Sequence, residues 1–177
     1  LTEELDVPYK KVGALLPAIT DEQYEQLPAI KEKAFKNRVY DVEYLSTGQM
    51  LEMEPHLNPE AKAGLYIPRE NIIDPFILVM ALAENANANG VAFMLNTRVT
   101  GIKTKDGRVS VVETTGGDIE TRYVINAAAL YFDEIAAMGG KADYKVVPRR
   151  GQFFLLDKNT SCKVNKLVLP IPTQITK

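Results

Sequence analysis

Two adjacent arginines, Arg149 and Arg150, stand at a corner between Pro148 and Gly151, and they are the strongest signal for chemistry in this sequence. A guanidinium offers a planar fork of donors that matches the oxygens of a phosphate or carboxylate, and Gly151 lets backbone come close. A corner arginine also commonly pairs with a neighbouring carboxylate, so the anion-binding and structural readings both stand. The second signal is the run Ala127–Ala128–Ala129 at the end of an apolar stretch. Three small side chains there serve either the close approach of a ligand or tight packing of a strand on a helix. His56, the single histidine, follows Pro55 in a loop and reads as structural or exposed, so no general base is assigned. Asp133 and Glu134 lie where the first turn of a short helix favours acids whatever the function. Asp74 is explained in the same way, as a helix cap.

These candidates sit in a chain of 177 residues, enough for one large domain or two small ones. Hydrophobic residues at 46% and charged residues at 25% describe an ordinary globular protein, and a net charge of −2 gives no reason to expect nucleic acid as a partner. One cysteine, Cys162, excludes an internal disulfide framework and fits a reducing, cytoplasmic setting. The longest apolar run, Phe76 to Ala83, is far short of the ~20 residues of a membrane span. The chain opens on Leu1 with no signal peptide and ends at Thr176–Lys177 without a terminating element, so it is expected to be an internal piece of a longer protein.

The elements that must position the candidates follow from patterning. Tyr9 to Ile19 reads as a strand. Thr20 with Gln23 forms a capping box before a mostly exposed helix, Asp21 to Asn37, which Pro28 interrupts or restarts. Val39 to Leu45 reads as a strand, and Ser46 with Gln49 caps a short helix, Thr47 to Met53. Pro55 to Asn71 reads as loop with an extended piece around Gly64 to Pro68. Asp74, Pro75 and Gly90 bracket the clearest helix, which is apolar on nearly every side over its first turns and is expected to be buried against a sheet. Val91 to Leu95 follows as a short strand. Arg98–Thr104, Val109–Thr115 and Ile119–Asn126, separated by Asp106–Gly107 and Gly116–Gly117, predict a three-stranded antiparallel meander. A helix over Leu130 to Met138 ends at Gly139–Gly140, and Tyr144–Val147, Gln152–Leu156 and Lys166–Ile171 complete the expected strands. The class is mixed α/β.

This order of helix, strand, meander, small-residue turn and helix resembles the second half of the FAD domain in the D-amino-acid oxidase superfamily. The resemblance is carried by Ile72–Ile73–Asp74–Pro75 through Asn96–Thr97–Arg98–Val99–Thr100–Gly101–Ile102, by Val124–Ile125–Asn126–Ala127–Ala128–Ala129–Leu130–Tyr131–Phe132–Asp133–Glu134–Ile135–Ala136, and by Pro148–Arg149–Arg150–Gly151–Gln152 with Leu155–Leu156–Asp157–Lys158. With Met53–Glu54–Pro55–His56–Leu57–Asn58–Pro59 and Pro170–Ile171–Pro172–Thr173, these stretches are most similar to FAD-dependent glycerol-3-phosphate dehydrogenases, and they are also similar to L-2-hydroxyglutarate oxidases. The resemblance implies a partial FAD-binding domain at 71–140 and part of a mixed-sheet substrate domain at 1–70 and 141–177. It implies that Arg98 and Val99 begin the adenine-side strand, Val99 through its backbone, and that Ala127, Ala128 and Ala129 form the platform beneath the cofactor. Arg149 and Arg150 would then bind a small anionic substrate, and Tyr131 and Phe132 would pack near the flavin or simply in a core.

The implied activity of the complete protein is oxidation of a secondary alcohol, sn-glycerol 3-phosphate first and L-2-hydroxyglutarate second, by hydride transfer to FAD. The family's G-x-G-x-x-G turn does not occur in these residues, and Ala129 stands where the family has glycine. A chain of these 177 residues alone is therefore expected to hold FAD weakly or not at all and to be inactive. A cofactor-free binding or scaffold domain is the non-enzymatic alternative for such a piece. A nicotinamide-binding domain is disfavoured, because that too needs a glycine-rich phosphate loop. A homodimer and peripheral membrane contact of the complete protein are left open.

Overall fold

The structure, a computed structural model, describes residues 1–161 and 163–172; Cys162 and the Thr173 of the last motif lie outside the described residues. Packing divides the chain into two compact units, Leu1–Asn89 with Leu156–Lys177, and Gly90–Leu155. These limits differ from the boundaries at 70/71 and 140/141 that the resemblance implies. The mixed α/β class is as expected.

The first unit is built on a four-stranded mixed sheet. Strand β1 (Tyr9–Lys11) pairs outside it with β5 (Asn71–Ile73). Strands β2 (Ala14–Ala18), β3 (Glu43–Ser46), β4 (Ala63–Ile67) and β9 (Leu167–Val168) form the order β3-β4-β2-β9, with β9 parallel to β2 and the other pairs antiparallel. Helix α1 (Asp21–Lys36) covers one face through Leu27, Ile30 and Ala34, spaced for one helical stripe, against Leu16, Ala18 and Leu65. Helix α2 (Thr47–Met53) covers the other through Met50, against Leu15 and Leu45. Successive side chains of β2 therefore enter opposite cores, which is why Leu15 and Leu16 are both buried.

Several expectations change here, each for a local reason. The single strand over Tyr9–Ile19 is two strands, because Gly13 turns the backbone at φ 69 and packs against the Tyr66 ring. Pro28 does not break α1; it lies on the exposed side, where water can meet the Tyr24 carbonyl that loses its amide partner. The expected strand Val39–Leu45 starts only at Glu43, since Arg38 (φ 63) and Val39 finish α1, donating to Phe35 and Ala34 carbonyls. The extended piece expected within a loop around Gly64 to Pro68 is a full inner strand of the sheet, Ala63–Ile67, with Gly64 accommodating Met50 and the Leu16 carbonyl. Strand β9 is shorter than Lys166–Ile171 because Pro170 and Pro172 have no N–H for the ladder.

Helix α3 (Pro75–Ala88) has the expected start, with Asp74 accepting from Phe76 and Ile77 N–H at 2.9 and 3.0 Å. It is not buried against a sheet: Phe76 is 80% exposed, and no residue of α3 is buried. Its cap and apolar helix formers hold it locally, and no described strand lies over it.

The second unit is the meander β6 (Val99–Lys105), β7 (Arg108–Thr114) and β8 (Ile119–Glu120), followed by a single 3-10 turn at Ala129–Tyr131 and helix α4 (Phe132–Met138). Asp106 (φ 52) and Gly107 (φ 75) make a two-residue hairpin with both torsions positive, the geometry that Asp-Gly favours. Three expected strands do not form, and a fourth is cut short. Ile119–Asn126 pairs only through Ile119, Glu120 and the Thr121 N–H; beyond them the Thr121 hydroxyl donates to the Tyr123 carbonyl. Val91–Leu95 and Gln152–Leu156 are irregular and expose their apolar side chains, and Tyr144–Val147 is also irregular. A strand without a neighbour leaves its N–H and C=O groups to water and gains nothing by being extended.

Candidate functional site

The second unit contains a cleft of about 580 Å³ between the start of β6 and the turn that leads into α4. Arg98, Val99 and Thr100 line one side, and Ala128, Tyr131, Glu134, Ile135 and Met138 the other. The structure thus brings together three of the expected cofactor residues, Arg98, Val99 and Ala128, from positions about thirty apart in sequence. Ala127 and Ala129 flank the cleft in the chain and are exposed, so none of the three alanines is sealed in a closed core. Arg149 and Arg150 are exposed in the irregular segment after α4, and neither lines the cleft.

Local hydrogen bonds shape the turn. Asn126 donates through Nδ2 to the Phe132 carbonyl at 2.8 Å and accepts the Ala128 N–H through Oδ1 at 3.2 Å, pinning both ends of the small-residue run. Ala129 is held at φ 50, the left-handed region that a Cβ disfavours by roughly 1–2 kcal/mol. The position expected to be glycine in relatives is thus one whose backbone conformation favours glycine. On the opposite wall, the Arg98 N–H donates to Thr115 Oγ1 at 3.0 Å and its carbonyl accepts from Thr115 N–H at 2.9 Å, which fixes where β6 enters the sheet.

Charge at the cleft is mixed, with one guanidinium from Arg98 and one carboxylate from Glu134. Behind it, Asp133 accepts from Val146 N–H and from Glu134 N–H, both at 3.0 Å. The Val146 hydrogen bond is the main cause that holds its carboxyl below the usual aspartate range. The sequence pattern by itself gives Asn126 no role. The one available signal is that an Asn just before a turn competes for local backbone groups. Tyr131, expected to pack in a core or near the flavin, and Glu134, expected as a helix-dipole acid, both border the cleft.

Backbone kept accessible by methyl-sized side chains, beside an open cleft and a left-handed turn, suits a flat cofactor that approaches the main chain closely. Among the described residues no group of His, Cys, Asp and Glu is arranged to hold a metal ion, and no helix is long and apolar enough to cross a membrane.

Comparison with known proteins gives this geometry a context. A glycerol 3-phosphate dehydrogenase of Caloramator mitchellensis is 36% identical over 177 residues, covering 100% of this chain and 37% of that protein. An L-2-hydroxyglutarate dehydrogenase of Indibacter alkaliphilus is 26% identical over 172 residues, covering 96% of this chain and 42% of its own length. Among solved structures, the dithionite-reduced L-alpha-glycerophosphate oxidase of Mycoplasma pneumoniae with FAD bound superposes with a TM-score of 0.77 at 30% identity, over 97% of this chain and 46% of that one. The chain therefore spans less than half the length of these relatives. The family description "FAD dependent oxidoreductase" matches residues 1–177, end to end. With that match and a superposition that runs through both units, the chain belongs to the FAD-dependent oxidoreductase family.

Proposed function

We propose that the complete protein is a flavoenzyme that oxidises the secondary alcohol of a small anionic substrate, sn-glycerol 3-phosphate. The observation that carries the reading is the cleft that joins Val99 to Ala128 beside the left-handed Ala129 turn, in a chain 36% identical to a glycerol 3-phosphate dehydrogenase. Arg98, Val99, Ala127, Ala128 and Ala129 then contact FAD, Val99 and the alanines by presenting accessible backbone. Arg149 and Arg150 orient the phosphate of the substrate. FAD, when bound, would supply a two-electron acceptor for oxidation of the alcohol to the ketone, with the hydroxyl proton released. The functional domains run 71–140 on the cofactor side and 1–70 with 141–177 on the substrate side. L-2-hydroxyglutarate is the second reading, supported by the 26% identity to its dehydrogenase; its carboxylates would use the same arginine chemistry.

The test is anaerobic reduction of the complete flavoprotein, followed by bleaching of its flavin absorbance. Glycerol 3-phosphate should bleach it rapidly and L-2-hydroxyglutarate slowly; the reverse order would replace the first reading by the second, and bleaching by neither would reject both. Arg149→Gln and Arg150→Gln should each raise KM for the anionic substrate on the order of ten-fold, the loss of one charge-assisted hydrogen bond.

A further inference from the structure

The segment Lys141–Leu155 contains no helix or strand, and it carries both arginines assigned to the substrate. Two contacts tie its first half to α4. Asp133 Oδ2 accepts the Val146 N–H at 3.0 Å, and the Phe132 ring meets Tyr144 edge-on, with centroids 5.5 Å apart and planes at 81°. A helix-end role explains the Glu134 N–H on the same carboxylate, since that amide belongs to the first turn. It does not explain Val146, which lies thirteen positions along the chain. Val146 is half-buried in a segment whose other residues are exposed, so the contact marks a fixed point in it.

The geometry of the chain gives that fixed point a consequence. At ~3.4 Å per extended residue, an Arg150 tethered only at Lys141, where α4 closes onto the Ala136 carbonyl, could range over ~30 Å. Tethered at Val146, its Cα is confined to within ~14 Å, and Pro148 stiffens the path between them. Phe132 and Asp133 directly follow the 3-10 turn at Ala129–Tyr131, so the anchor grows out of the cofactor-side turn itself.

We propose that Asp133 is a positioning residue: through the Val146 N–H it ties the Arg149–Arg150 segment to the helix that follows the small-residue turn. This rests on the functional reading above, in which those arginines recognise the anion. The carboxylate does not touch substrate; it reduces the conformations the arginines must give up when substrate binds. Its signature is therefore in KM.

In the full-length flavoprotein, Asp133→Asn should raise KM for glycerol 3-phosphate on the order of ten-fold, with kcat changed less than about two-fold and the flavin content per chain unchanged. Val146→Pro deletes the same hydrogen bond from its other end and should give the same KM. Combined with the double substitution Arg149→Gln and Arg150→Gln, Asp133→Asn should raise KM no further than that double substitution alone, which a merely structural defect would not produce. If Arg150→Gln raises KM while Asp133→Asn and Val146→Pro leave it unchanged for each bound flavin, the inference is overturned and the functional reading survives. If neither arginine substitution moves KM, the assignment of the anion site falls and takes this inference with it.

Discussion

The two units solve the folding problem differently. In the first, Ala14, Leu15, Leu65 and Met50 are fully buried and Leu27 nearly so, and two helices sandwich a four-stranded sheet. In the second, Val112 is the one buried hydrophobic among the described residues, and Leu95, Tyr123, Ile125, Phe153 and Phe154 are all at least 80% exposed. Yet the cleft and the candidate residues lie in the second unit. Its order comes from directional local contacts: an Asp-Gly hairpin, an asparagine that grips both ends of a turn, and an aspartate that reaches across thirteen residues. Such contacts fix geometry without contributing much hydrophobic stabilisation, and regions of this kind occupy the low-stability end of a protein. A ligand bound there adds stability that the unit does not supply by itself.

Four measurements can break or sharpen this contrast. The largest effect is expected from core truncation: Leu65→Ala should cost about 3–5 kcal/mol in a urea titration, and Val112→Ala less than half as much. Equal losses would erase the distinction between the units. Next comes Glu54, which is fully buried in the first unit and accepts N–H groups from Asn165 and Lys166 at 2.5 and 3.1 Å. Glu54→Gln puts a donor where an acceptor is needed, so a loss of about 2–3 kcal/mol is expected, with faster hydrogen exchange at the Asn165 and Lys166 amides. Exchange that stays slow there would show that β9 is held by its pairing with β2 alone.

Smaller changes probe the second unit. Ala129→Gly removes the Cβ from a residue at φ 50 and should raise the stability of that unit by up to about 1 kcal/mol. A loss would mean that the methyl packs usefully in the turn. The smallest effect is that of acid on Asp133. Its carboxyl lies below the usual aspartate value in the folded state, so the Val146 hydrogen bond contributes fully above that usual value and is lost as pH falls through the depressed one. Protection of the Val146 amide, relative to its intrinsic exchange rate, should fall only below about pH 4. Loss of that protection near neutral pH would show that another group controls the segment.

Much of this was legible in the residues themselves, because the signals are local. Thr20 with Gln23 and Ser46 with Gln49 form the expected capping boxes, Asp74 caps α3, and Asp106–Gly107 closes the hairpin. Each depends on atoms within four positions, so the sequence alone determines it. The pairing of Arg98 and Val99 with Ala128 across one cleft agrees with the pattern of small residues after a strand, though no local rule puts them face to face.

Tertiary structure decided everything that needed a distant partner. Gly64 to Ile67 reads in sequence only as an extended piece within a loop, because Pro59, Gly64 and Pro68 are turn formers, and β2 and β3 on either side make it an inner strand. Ile125, Phe93 and Phe153 have the composition of strands and stay irregular, since no described neighbour satisfies their backbone. Glu54 and Asp133 carry no sequence mark of their roles, because a carboxylate that accepts an amide 111 or thirteen residues away is defined only once the chain has folded. Local hydrogen bonds are short loops and cost little entropy to close; long-range ones are specified by the whole packing, and so they are read only from the folded molecule.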